Sequence, residues 1–383
     1  IEKLRKADFA ITVVDAAGKP VPDATVAVRM KRHAFPFGSC YAPGMIAGPD
    51  ANSETAQKYR QVFLENFNIG VDEYAMKWPH WVKPEAKQLA LDSWQWMHDH
   101  GIPVRGHVMV WPGWKRIPAE VKDLSGDPAK LQQAVLDHVA KVGADLRGKV
   151  VEWDVVNEPF ANHDLMDILG DDAMVDWFKA ARKADPDVPL YLNETSVPTS
   201  PPADERYTAL YDRVKKLQDA GAPVDGVGMQ AHFGQNVQPP TQLLSIYDRF
   251  EKLGIPVRIT ELDIDIADEQ LQADYYRDFL TASFSHQNIN GVLIWGFWEG
   301  AHWRPLAAMY RKDWSPRPIA GVWKDLIYKQ WWTNADGKTN AAGAYKTRGF
   351  LGDYEVTVTH DGKTTTESLK LEKGAALQKI TLK

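Results

Sequence analysis

Two glutamates, Glu158 and Glu261, stand where apolar runs end abruptly in polar residues. The first closes Val150-Val151-Glu152-Trp153-Asp154-Val155-Val156-Asn157-Glu158-Pro159, which reads as a buried β-strand finishing in an amide, a carboxylate and a proline. Pro159 cannot donate to a sheet ladder and biases the residue before it to an extended backbone, so Glu158 is expected at the strand's carboxyl edge. The second closes Ile259-Thr260-Glu261, with Leu262 and Asp263 following. Two carboxylates facing each other across a cleft can divide the cleavage of a glycosidic bond. One protonates the leaving oxygen while the other attacks or activates water. A single strand-end Glu is more often an ion-pair partner, so the chemistry is carried by the pair.

Positioning such a pair needs a scaffold, and residues 35–332 alternate strand with helix. Apolar strand candidates lie at 35–40, 67–72, 102–108, 150–156, 188–192, 224–229, 255–260 and 292–295. Helical period appears between them: Leu243, Ile246, Tyr247, Phe250 and Leu253 share one face. Gly101-Ile102-Pro103-Val104, Gly221-Ala222-Pro223-Val224 and Gly254-Ile255-Pro256-Val257 each close a helix with Gly and enter a strand. Eight alternations predict an α/β fold, a (β/α)8 TIM barrel, whose functional residues gather at the carboxyl ends of its strands. A doubly wound sheet would also alternate, but no Gly-x-Gly-x-x-Gly turn follows the first strand.

The predicted strand ends carry Glu73, Tyr74 and Lys77 (second), His107 and Trp111 (third), Asn157 and Glu158 (fourth), and Asn193 and Glu194 (fifth). Gln230 and His232 follow the sixth, Glu261 and Asp263 the seventh, and Trp295, Glu299 and Trp303 the eighth. Glu152 and Asp154 precede the end of their strand and read as barrel-interior or helix-facing polar residues. Glu194 and Glu299 stay open between cleft and loop roles. His98 and His100 lie two apart at a helix end and do not face each other, so no metal and no cofactor are expected.

At these residues the chain resembles the family-10 glycoside hydrolases, typified by endo-1,4-β-xylanases. Trp153-Asp154-Val155-Val156-Asn157-Glu158 is similar to the family's acid/base strand and Ile259-Thr260-Glu261-Leu262-Asp263 to its nucleophile strand. Met76-Lys77-Trp78, Arg105-Gly106-His107, Gly226-Val227-Gly228-Met229-Gln230-Ala231-His232 and the Trp295/Trp303 pair match the remaining strand ends in order. The resemblance implies a retaining double displacement in xylan, with Glu158 as acid/base and Glu261 as nucleophile. His232, oriented by Asp263, would hold Glu261, and Asn157 would hold the sugar's 2-hydroxyl. Glu73, Lys77, His107 and Gln230 would bind sugar hydroxyls, with Trp111, Trp295 and Trp303 as walls. Alternatives are the same mechanism on another or substituted β-glycan, or a carbohydrate-binding protein without turnover.

The chain departs from the family's pattern at three places. Tyr74 stands for the Asn after strand two, Trp111-Pro112-Gly113-Trp114 for Trp-His-x-Gln, and Asn193-Glu194-Thr195 for Asn-Asp-Tyr. Tyr74 and Trp114 are therefore expected to reshape the second glycone subsite.

Both termini alternate as strands: residues 7–30 around the turn Gly18-Lys19-Pro20-Val21-Pro22-Asp23, and 352–382 around His360-Asp361-Gly362-Lys363. Neither half buries a core alone, so one small β-sandwich is expected from residues 1–34 and 333–383, with the barrel at 35–332 inserted; two separate modules are the competing arrangement. The Gly-Lys-Pro-Val-Pro and Gly-x-Tyr-x-Val wording resembles the transthyretin-like or carboxypeptidase-regulatory sandwich. At 383 residues the chain exceeds one ordinary core. A net charge of −6 argues against nucleic acid or an anionic membrane as partner. Fifteen Trp exceed what a core of this size needs and suit sugar stacking, although many will be ordinary packing residues. Cys40 is the single cysteine, so no intramolecular disulfide forms. Ile1 begins without a basic and apolar leader, so any export signal was removed or never present. A monomer acting on polysaccharide as a secreted, periplasmic or cell-surface protein is expected.

Overall fold

In the computed structural model, which describes residues 1–201, 204–374 and 377–383, the chain divides into two compact units. One is Phe37–Ile319; the other joins Ile1–Pro36 to Ala320–Lys383.

The first unit is a closed parallel barrel. Its strands are Phe37–Tyr41, Ile69–Asp72, Val104–Val110, Val150–Asn157, Leu190–Glu194, Gly226–Met229, Val257–Ile264 and Ile289–Ile294. Each pairs with the next, and the eighth closes on the first through Val292↔Phe37 and Ile294↔Ser39. A two-residue strand, His232–Phe233, adds to the end of the seventh. The third and seventh strands begin after Pro103 and Pro256 rather than at the apolar residues before them, because proline has no N–H for the ladder. Gly101, Gly221 and Gly254 all have positive φ, 69° to 74°, and end their helices as left-handed caps. The helix Pro240–Glu251 buries Leu243, Ile246, Tyr247 and Phe250, the face the period predicted.

The barrel interior is not purely apolar. Arg105 bonds Glu152 (2.6 Å) and Asp154, and Arg258 reaches the other Glu152 oxygen at 3.1 Å; all four are buried. Tyr191 lies 4.5 Å below the Arg105 guanidinium, and the Trp153 ring fills the space a side chain at Gly106 would need. This network answers the open reading of Glu152 and Asp154: they face inward.

The second unit contains two sheets, each with an N-terminal strand flanked by C-terminal ones. Lys6–Val14 lies between Ala344–Phe350 and Gln378–Thr381, and Thr25–His33 between Asn334–Lys338 and Gly352–His360, with Lys363–Leu371 outermost. The two sheets meet through Phe9 and Tyr354, whose rings are 5.1 Å apart. Compactness puts the second boundary at 319/320 instead of 332/333. Residues of the last helix pack within this unit, where the Ile327 carbonyl bonds His33 Nε2 at 3.2 Å.

Candidate active site

The carboxyl ends of the barrel strands surround a cleft of about 280 Å³. Glu73, Lys77, His107, Trp111, Glu158 and Gln230 line it, as do His232, Glu261, Trp295 and Trp303; Arg116 and Thr195 complete it. The strand-end residues predicted for hydroxyl binding and for the aromatic walls thus share one cavity.

Glu158 follows directly on the fourth strand, but its backbone is left-handed (φ 53°), not extended as the following proline suggested. The chain turns out of the sheet here while the Glu158 N–H still donates to the Asn193 carbonyl at 2.8 Å. Such a conformation in a non-glycine residue costs on the order of 1–3 kcal/mol and is held by its surroundings. Glu158 Oε1 accepts from Gln230 Nε2 (2.9 Å) and Oε2 from Asn162 Nδ2 (3.0 Å). Burial raises its pKa, the Gln230 bond opposes that, the charge of Glu261 adds to it, and Arg116 and His107 oppose it again.

Across the cleft, Glu261 Oε1 accepts from Asn193 Nδ2 (2.8 Å), and Oε2 lies 3.2 Å from His232 Nε2. Asn193 Nδ2 also bonds Asn157 Oδ1 (2.8 Å), and Thr260 Oγ1 donates to Asn193 Oδ1 (2.7 Å). Gln230 Nε2 reaches Asn157 Oδ1 at 3.2 Å. A continuous run of side-chain amides therefore connects the two carboxylates. Asn193, which completes it, and Asn162, which holds the other Glu158 oxygen, were missed as site residues. The Asn193-Glu194 dipeptide at a strand end was the only signal for the former, and none marks the latter.

Asp263 organises the seventh-strand side. It accepts from His232 Nδ1 (2.8 Å), Trp303 Nε1 (2.9 Å) and Arg304 Nη1 (2.9 Å). Burial would lower the His232 pKa, but the carboxylates of Asp263 and Glu261 outweigh it and raise it to about 9, so the ring is a cation at neutral pH. Asp154, tied to Arg105, also bonds His107 Nδ1 at 2.9 Å and leaves Nε2 for the cleft. Lys77 Nζ lies over the Trp111 and Trp295 rings at 5.3 and 5.8 Å. Among the described residues neither Glu73 nor Lys77 forms an ion pair; burial raises the pKa of the former and lowers that of the latter.

Tyr74 and Trp114, expected to shape specificity, do not line the cleft, and neither do Glu194 and Glu299, whose roles were open. Tyr74 packs on His80 (ring centroids 5.6 Å), with its hydroxyl at the Gly44 backbone. The Trp114 ring lies near Lys122, and its backbone N–H donates to Asp164 Oδ2 at 2.8 Å. Because Pro112 O also accepts from Leu165 N, this segment locks the loop after strand three to the loop after Glu158. Glu194 is buried and accepts from the N–H groups of Phe160 and Thr195, with burial pushing its pKa up to about 8. Glu299 pairs with Arg317 (2.8 Å), a structural role.

One group of metal-ligand types occurs among the described residues: Asp248, Glu251 and His286. His286 Nδ1 accepts the Asn288 N–H (3.1 Å), which puts the ring proton on Nε2 facing Asp248 (3.1 Å). That tautomer makes a hydrogen bond where a metal would need a lone pair.

The sequence model of the glycosyl hydrolase family 10 matches residues 29–322. The chain is 32% identical to the anti-sigma-I factor RsgI6 of Acetivibrio thermocellus over 100% of its own length and 49% of that protein's. It is 30% identical to endo-1,4-beta-xylanase 1 of Arabidopsis thaliana over 99% of its length and 38% of that protein's. The chain thus spans half or less of these curated relatives. Xylanase 10B from Thermotoga petrophila RKU-1, solved in complex with xylobiose, superposes with a TM-score of 0.70 at 23% identity, over 78% of this chain and 95% of that one.

Proposed function

The chain belongs to glycoside hydrolase family 10, and from that premise we propose that it cleaves β-1,4-xylosidic bonds in xylan by double displacement. The observation that carries the reading is the amide bridge from Glu158 through Gln230, Asn157 and Asn193 to Glu261. It sets two carboxylates with opposite environments on one cavity.

Glu158, with its pKa raised by burial and by Glu261, supplies the proton to the leaving oxygen. Glu261, held by Asn193 and the His232 cation, attacks the anomeric carbon and forms a glycosyl ester. Esterification removes the negative charge that raised the Glu158 pKa. Glu158, now deprotonated, takes a proton from water, which displaces Glu261 and regenerates both groups. Among the described residues Asn157 Nδ2 is buried without a partner, and it suits the 2-hydroxyl of the sugar at the cleavage point. Trp111, Trp295 and Trp303 wall that sugar, and Glu73, Lys77, His107 and Gln230 bind its hydroxyls.

A polymeric substrate favours action outside the cytoplasm, in the medium, the periplasm or at the cell surface. Among the described residues no helix is long and apolar enough to cross a membrane. A second reading, carbohydrate binding without turnover, fits the likeness to a protein named as an anti-sigma factor rather than as an enzyme; the intact carboxylate pair favours catalysis. Glu158→Ala and Glu261→Ala assayed on polymeric xylan should each lose several orders of magnitude in kcat. Wild-type turnover retained by both variants defeats the assignment, and an inactive wild type that still binds xylan supports the second reading.

A further inference from the structure

Arg116 has no part in the machinery above, yet its side chain lines the same cleft as Glu158 and Lys77. The loop after strand three doubles back through the Arg116 N–H, which donates to Gly113 O at 2.8 Å, and the guanidinium carbon comes to 4.0 Å from the Trp111 ring centroid. Stacking on an indole holds a guanidinium flat and leaves its N–H edge available. Among the described residues Arg116 has no carboxylate within ion-pair distance and its guanidinium donates no hydrogen bond.

The other cleft charges are balanced. His232 lies between Glu261 and Asp263, and Arg304 meets Asp263. Lys77 feels the charges of Glu261 and Glu73. The charge of Arg116 falls on Glu158 and stabilises its ionised form, which works against a proton donor. A bound anion would relieve that cost and engage the free N–H edge.

We propose that Arg116, stacked on Trp111, binds the carboxylate of a uronic-acid branch on the glycan, so that the preferred substrate is an acidic, branched xylan. Planar carboxylates match the guanidinium fork and can accept two parallel hydrogen bonds from it. This inference rests on the glycan-cleaving reading of the site and adds to it the charge class of the substituent.

The test is calorimetric binding to the full chain carrying Glu261→Gln, which prevents turnover. Three probes are compared: a linear xylo-oligosaccharide, the same backbone with a glucuronic-acid branch, and that branched compound with its carboxylate reduced to an alcohol. The acidic compound should bind tenfold or more tightly than its reduced counterpart. Adding Arg116→Gln should abolish that difference, and Arg116→Lys should keep part of it. Equal affinity for the two branched compounds, exclusion of both, or a preference that survives Arg116→Gln overturns the assignment while the linear probe still binds. Failure of all three probes to bind overturns the glycan reading itself, and the Arg116 assignment with it.

Discussion

Burial raises the pKa of Glu158 and the charge of Glu261 adds to it, while Gln230, Arg116 and His107 pull the other way. Neutralising Glu261 by Glu261→Gln therefore lowers the Glu158 pKa, and a carbon-13 NMR titration of the Glu158 carboxyl reads the shift; an unchanged or higher value contradicts the coupling. His232 shifts in the same direction for a different cause, the charges of Asp263 and Glu261 acting against burial. Its pKa rises from the ordinary 6.5 to about 9 on folding, so the folded state holds the proton more tightly. The stability this contributes is complete below about pH 6.5 and is lost as pH rises through about 9. At this scale the residues fixed by strand-end position, Glu158, Glu261, Asn157, Gln230 and His232, were legible because a barrel strand sends its last residues to one rim. Asn193 acts through side-chain contacts with Asn157, Thr260 and Glu261 on distant strands, while Asn162 and Arg116 meet Glu158 and Trp111 from irregular loops, and no periodic pattern encodes either kind of contact. Tyr74 and Trp114 were misplaced because proximity in sequence to a strand end does not decide which way a loop side chain turns.

The strands owe their register to the helix ends that precede them and to a polar interior. A glycine cap and a proline before the third and seventh strands set where the ladders begin, which made those elements readable and put the expected starts two residues early. The interior rests on Arg105, whose loss leaves Glu152 and Asp154 as buried carboxylates with one fewer cation. Arg105→Ala should cost about 3–5 kcal/mol in urea unfolding, and it should loosen His107, whose ring shares Asp154 with Arg105. A cost below about 1 kcal/mol would mean the network contributes little. The strands Asn334–Lys338 and Ala344–Phe350 escaped the sequence reading. The first alternates only between exposed and half-buried positions and so has no apolar face to detect. The second buries only Gly349 and Phe350.

On the scale of the whole molecule, both N-terminal strands lie inside sheets completed by strands from the far end of the chain. Ile11, Val26 and Val28 are fully buried there. Deleting 334–383 removes both outer partners of each, and limited proteolysis read by mass spectrometry should then cut within residues 6–33, which resist cleavage in the full chain. Resistance in the truncated chain would show that the N-terminal strands hold without their partners. The central claim remains the division of labour between the two glutamates, and the most direct measurement is the configuration of the product that Glu158→Ala makes from a dinitrophenyl β-xylobioside with added azide. That leaving group needs no proton, so Glu261 can still form the glycosyl ester, and azide then replaces water without needing a base. Double displacement predicts rescued turnover and the β-glycosyl azide by proton NMR; the α-azide, or no azide product at all, contradicts it.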